Sequence, residues 1–194
     1  MGDNPFAVPV LTTDRLEIRR LVADDLADCE ALFEAIGWEH DRAAWLAWTI
    51  ASYDSHEHLY QPPLGERAVV ARDDGRLLGL VGYVPSFEPF ARLPSWGGVA
   101  DAGRTMELGL FWALHPSAQG QGFATEAAGV MIDHAFRVMA IDHIVATTTH
   151  DNGSSVAVMR RLGMTIDRYD RLHPGLQIVG VRRLGKISAN AQPD

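Results

Sequence analysis

The sequence predicts a mixed α/β fold organised around a parallel pair of strands, and three observations carry that expectation. An apolar run at Met106–Leu114, a glycine-rich turn, a long amphipathic stretch and a β-branched run at Ile144–Thr149 follow one another, which makes a right-handed strand–helix–strand crossover. Asp73-Asp74-Gly75 separates two further apolar runs, a hairpin signal. Two strand-like runs close the chain, so antiparallel neighbours should flank the parallel centre.

Taken in order, Arg15–Leu21 alternates apolar and charged residues, the period of a half-buried strand. Asp24 is placed to cap a helix in which Leu26, Cys29, Leu32, Phe33 and Ile36 recur at helical spacing. Ala43–Tyr53 reads as a second helix anchored by Trp45, Trp48 and Ile50, and the polar, proline-broken stretch Ser52–Gly65 as a loop. Strands are expected at Arg67–Arg72 and Leu77–Tyr83. Pro85–Gly103, rich in proline and glycine but carrying Phe87, Phe90 and Trp96, reads as a long surface loop of the kind that often serves as a lid. The helix that begins near Gln121 puts Ala124, Ala127, Met131, Ile132, Ala135, Phe136 and Met139 on one face. Ser154–Leu162 is a short helix stopped by Gly163, and Thr165–Tyr169 and Gln177–Leu184 are the closing strands. One domain is expected over residues 1–194, with a core at about 11–185 and a frayed tail at 186–194.

Composition removes several function classes. The formal net charge of -8 gives no positive field to attract nucleic acid. No run approaches the ~20 apolar residues of a membrane span, and the first residues lack the basic and apolar regions of a signal peptide, so a cytoplasmic protein is expected. Cys29 is the only cysteine, which rules out an intramolecular disulfide and a cysteine-cluster zinc site. Its apolar helical neighbours suggest a buried, inert thiol rather than a nucleophile. His56-Glu57-His58 lacks a third ligand and reads as solvated; no metal is expected.

The chemical signal is Gln119-Gly120-Gln121-Gly122-Phe123-Ala124, with Thr125 next. Glycine lets a ligand approach the backbone, and a helix start presents unpaired N–H groups at the positive end of its dipole. That combination holds phosphate. A dinucleotide fingerprint would place a third glycine where Thr125 stands, and a P-loop would need a following Gly-Lys-Ser/Thr; neither fits.

The loop is similar to the acyl-CoA phosphate loop of the GNAT N-acetyltransferases, Arg/Gln-x-x-Gly-x-Gly/Ala. Further islands resemble the RimJ/RimL-like branch, which acetylates ribosomal-protein N-termini: Leu11–Leu21, Glu107-Leu-Gly-Leu110, Gly122–Ala127, Asp133–Phe136, Asn152–Ser155 and Leu162-Gly-Met164. The resemblance implies a GNAT fold with two central strands splayed apart and acetyl-CoA as cosubstrate. It also implies backbone groups of Trp112, Ala113 and Leu114 on the pantetheine arm, and Gln119–Thr125 on the phosphates. Gln119 departs from the cation often found first in that loop; Arg104, Arg160 and Arg161 are the candidate replacements.

For catalysis, Glu107 is the candidate general base, acting through water from an apolar setting that would desolvate it; the competing reading is a surface ion pair. His115 is the rival base. Asn152 would bond the pantetheine arm and Ser155 would protonate the leaving thiolate; the competing reading is helix capping by Asn152 or Ser154. Tyr169 lies too far along the next strand to be assigned as an acid. Glu126 suits the helix dipole and reads as structural. No acyl-carrying cysteine is available, so direct attack in a ternary complex is implied. The acceptor is either a protein N-terminal amine or a small-molecule amine. Trp38, Trp45, Trp48 and Trp96 fall in segments 37–66 and 85–104, which match no family pattern; they line an acceptor pocket, fill the core or form a homodimer patch. The other function class is a non-catalytic acyl-CoA-binding module of the same fold.

Overall fold

The computed structural model describes residues 5–39, 41–173 and 176–184. The elements are β1 (Leu11–Thr12), β2 (Leu16–Arg19), α1 (Leu26–Ile36), α2 (Arg42–His58), β3 (Gly65–Ala71), β4 (Leu77–Glu88), β5 (Thr105–Leu114), α3 (Phe123–Arg137), β6 (His143–Thr148), α4 (Gly153–Arg161), β7 (Thr165–His173) and β8 (Leu176–Arg183). The strands form one sheet in the order β1-β2-β3-β4-β5-β6-β8-β7. Neighbours are antiparallel except β5 and β6, the parallel pair joined by α3. The mixed sheet and its central parallel crossover are those the sequence predicts.

Strand alternation divides the core. Leu110 and Leu114 of β5 share a cluster with Ala127, Met131 and Ala135 of α3 and with Val156 and Met159 of α4. On the other face, Ala68, Val70 and Leu80 pack against Cys29, Leu32 and Phe33 of α1 and Leu46 of α2. Phe90 and Leu93 cover the β6–β8 half of that same face, against Val145, Val179 and Val181.

Several expectations need correction. Asp24 does not cap α1. A short 3-10 turn at Ala23–Asp25 precedes the helix, and Asp25 accepts the Val22 N–H and pairs with Arg19 at 2.8 Å. The second helix runs on to His58 rather than ending at Tyr53, so His56, Glu57 and His58 are helical. Glu57 pairs with Arg20, and His58 Nδ1 contacts the Asp54 carbonyl. Among the described residues no group of His, Cys, Asp and Glu could hold a metal ion, and no helix is long and apolar enough to cross a membrane.

Residues 85–88 extend β4 along β5, with Pro85 opposite Leu108. Proline is tolerated there because β3 ends at the Gly65–Tyr83 pair, leaving no neighbour to want the missing N–H. The rest of the 85–104 segment is pinned and is not a free lid. Phe90 and Leu93 are fully buried, Ser95 Oγ donates to Asp167, and Trp96 packs edge-on to His143. The tail at 186–194 lies outside the described residues.

Candidate active site

Strands β5 and β6 meet only at the Gly109–Val145 pair. Beyond it β6 continues to pair with β8 as far as Thr148 while β5 continues beside β4 to Leu114, so the two diverge. The gap opens into a cleft of about 820 Å³. Phe111, Trp112, Ala113 and Leu114 form one wall, Thr148, Asn152, Ser154 and Ser155 the other, and Gln119, Gly120 and Gly122–Thr125 close one end. The sequence therefore brought most of its predicted cofactor residues to one place.

That closed end is built from local rules. His115 and Pro116 start a 3-10 turn at Pro116–Ala118, with His115 Nδ1 accepting the Ser117 N–H at 3.3 Å. Gly120 and Gly122 take φ of +75° and +87°, a left-handed geometry that costs other L-residues about 1–2 kcal/mol. Side chains hold the loop from outside: Gln119 Nε2 donates to the Leu114 carbonyl at 2.9 Å and Gln121 Nε2 to the Ser117 carbonyl at 2.9 Å. The backbone N–H groups of Gly120, Gln121, Gly122, Phe123, Ala124 and Thr125 donate to no group among the described residues. A helix start leaves such amides free by construction. Thr125 Oγ1, in the same wall, is buried without a partner among the described residues. A buried hydroxyl left this way is costly, and a ligand oxygen would satisfy it.

At the opposite wall Asn152 caps α4: its side-chain oxygen accepts the Ser155 N–H at 3.0 Å and the Ser154 hydroxyl at 2.8 Å. Capping and cleft lining coexist, because the cap uses only the carboxamide oxygen and leaves the NH₂ group. Ser155 lines the cleft one turn further on.

The two candidate catalytic residues are not adjacent. Glu107 sits before the Gly109–Val145 pair and is not part of the cleft wall. It lies about 10 Å along the strand from Leu110. Its setting is polar and not apolar as expected: Oε2 is 2.7 Å from His143 Nε2, and Oε1 accepts from Thr105 Oγ1 at 2.8 Å. His143 was missed because nothing local in sequence marks it; only the parallel register brings position 143 beside 107. His115 is occupied with its own turn and lines a separate small hollow with Arg76 and Asp28, which argues against it as base. Cys29 is fully buried, and burial, with Asp25 and Asp28 nearby, pushes its thiol up to about 12. At that value it is not a nucleophile.

Of the arginines considered for the phosphates, Arg161 lines the cleft, whereas Arg104 pairs with Glu88 at 2.8 Å. Arg15, which sequence reasoning overlooked, lies against the loop. Its Nη1 donates to the Gln121 carbonyl at 3.2 Å, and its Cζ stands 4.4 Å from the Phe123 ring centre. Glu126 is held by Arg15 and by Thr13 Oγ1, each at 2.5 Å, the structural role expected of it. Among the tryptophans, Trp38 lines the cleft, stacked on Phe111 at 5.4 Å. Trp45 packs edge-on to Phe33, Trp96 stacks near Phe90, and Trp48 is exposed. The Tyr169 side chain lies outside what the structure describes.

Comparison with known proteins agrees with this geometry. The sequence profile of the acetyltransferase (GNAT) domain matches residues 15–165. An uncharacterized N-acetyltransferase of Bacillus subtilis (strain 168), YnaD, is 25% identical over 158 residues, 79% of this chain and 81% of its own. The crystal structure of an acetyltransferase from Agrobacterium tumefaciens superposes with a TM-score of 0.65 at 23% identity, covering 92% of this chain and 96% of its own. RimL, a ribosomal alpha-N-protein acetyltransferase solved in complex with coenzyme A, gives a TM-score of 0.59 at 17% identity, covering 90% and 97%.

Proposed function

The chain belongs to the GNAT acetyltransferase family, and from that premise we propose that it transfers the acetyl group of acetyl-CoA to a primary amine in the cleft between β5 and β6. The observation that carries the reading is the run of free amides from Gly120 to Thr125 at the closed end of that cleft. Acetyl-CoA supplies the activated acyl group. The free amides and Thr125 Oγ1 would hold its pyrophosphate, and β5 backbone groups at Trp112–Leu114 would pair with the pantetheine arm. One such N–H aimed at the developing oxyanion is commonly worth ~10²–10³ in rate.

Two proton movements remain. The attacking amine must lose a proton, which Glu107 takes through water, with His143 and Thr105 fixing the carboxylate. The leaving thiolate must gain one, and Ser155, a residue of the cleft wall, would give it from its hydroxyl. The acceptor amine attacks directly, without an acyl-enzyme, because the chain's one thiol is sealed in the core.

A protein N-terminal amine is the first acceptor, by analogy with RimL, an alpha-N-protein acetyltransferase. A small aromatic or apolar amine is second, favoured by the Trp38–Phe111 stack at the cleft wall. Thiol release from acetyl-CoA against N-terminal peptides, small aromatic amines, polyamines and aminoglycosides tests both. Release with peptides is the expected result. Binding without release for any amine would leave only an acyl-CoA-binding module.

A further inference from the structure

The cofactor end of the cleft has an electrostatic difficulty. Glu126 stands in the first turn of α3, where a carboxylate suits the helix dipole yet puts a negative charge within a turn of the place proposed for a pyrophosphate. The loop's first residue, Gln119, carries no charge and is spent on the Leu114 carbonyl. Arg15 answers the charge on Glu126. It grips Glu126 through Nε at 2.8 Å and Nη2 at 2.5 Å, while its own backbone N–H reaches Oε1 at 3.3 Å. The same guanidinium bonds the Gln121 carbonyl at 3.2 Å and stacks on Phe123 at 4.4 Å. A Cβ placed on Gly122 would meet Nη2 at 3.5 Å. The cation therefore lies directly behind the amides of 121–123, delivered from the start of β2, more than a hundred residues earlier in the chain.

We infer that Arg15 is a positioning residue for the cosubstrate: it neutralises Glu126, so that no net negative charge stands beside the phosphate loop, and it fixes the loop backbone. The inference rests on the proposed acetyl-CoA site. Burial does not force the pair to be merely structural, since Arg15 remains about half exposed (48%).

Three variants, Arg15→Gln, Glu126→Gln and the double change, separate charge from scaffolding. Either single change breaks the same ion pair, so a purely structural clamp would make both weaken coenzyme A binding alike. Charge compensation gives opposite signs. In calorimetry with coenzyme A at low salt, Arg15→Gln is expected to weaken binding about tenfold or more, within the range of a charge-assisted contact. Glu126→Gln should leave affinity within about twofold or tighten it, and the double variant should fall between them. The Arg15→Gln deficit should appear in KM for acetyl-CoA with kcat at saturation little changed. Equal weakening by the two single changes, or no weakening by Arg15→Gln, overturns the inference. Failure of the unaltered protein to bind coenzyme A would instead overturn the site beneath it.

Discussion

Replacing Asn152 by aspartate separates the two jobs that this side chain performs. The cap on α4 needs only an oxygen, which accepts the Ser155 N–H at 3.0 Å and the Ser154 hydroxyl at 2.8 Å. Aspartate keeps that oxygen and adds a charge suited to the helix start, worth about 0.3–1 kcal/mol. Asn152→Asp should therefore hold or raise the melting temperature. Asn152→Ala should cost about 1 kcal/mol, or about 2–4 °C in a chain of this size. Ligand binding should respond differently. Both variants lose the NH₂ donor that the cap leaves over, a loss of about 0.5–1.5 kcal/mol if it bonds the ligand, or about 2–12-fold in affinity. Asn152→Asp should be the worse binder, because its carboxylate is acceptor-only and sits in the wall that an anionic ligand must pass. Scanning fluorimetry and calorimetry with acetyl-CoA give the two readouts. If Asn152→Asp binds as the unaltered protein does, the residue is a cap and nothing more.

Other consequences are sharper but narrower. Gly122→Trp combines a positive φ of +87° with bulk at the loop, and should abolish coenzyme A binding in calorimetry; unchanged affinity would remove the phosphate assignment. Glu107→Gln should lower kcat about 10²–10⁴-fold with little change in KM for acetyl-CoA, read by thiol release; retention of full kcat would return the carboxylate to a surface role with His143. Burial alone would raise the Asp25 carboxyl, but the Arg19 guanidinium and the Val22 amide outweigh it and hold the group below its ordinary 3.8. A depressed carboxyl contributes stability above its unfolded value, lost as pH falls through the folded one. Denaturant midpoints should therefore drop below about pH 4, and Asp25→Asn should flatten that limb while lowering stability at pH 7. A limb of unchanged depth in the variant would acquit Asp25.

What the sequence made legible was whatever depends on neighbours along the chain. The glycine loop announced itself because Gly120 and Gly122 need positive φ just before an amphipathic helix. Asn152 was readable because a cap and the helix it starts are contiguous. The end of α2 was misjudged because residues 54–58 carry no apolar period, yet the helix continues there, with Arg20 bridging to Asp54 and Glu57. The 85–104 segment looked like a lid from its prolines and glycines. Its aromatic and aliphatic residues were the better guide, since Phe90 and Leu93 complete a core. Arg15 and His143 could not be found locally. Each acquires meaning only when the sheet and the crossover bring distant segments together, against Glu126 in one case and Glu107 in the other.

An amide-resolved NMR titration with acetyl-CoA tests where the cosubstrate lies. The largest shifts should fall on the N–H groups of Gly120, Gly122, Phe123 and Ala124, with a second set on Trp112–Leu114 along the strand edge that β6 abandons. Shifts clustered elsewhere, with those amides unmoved at saturation, would contradict the placement of the thioester between the parting strands.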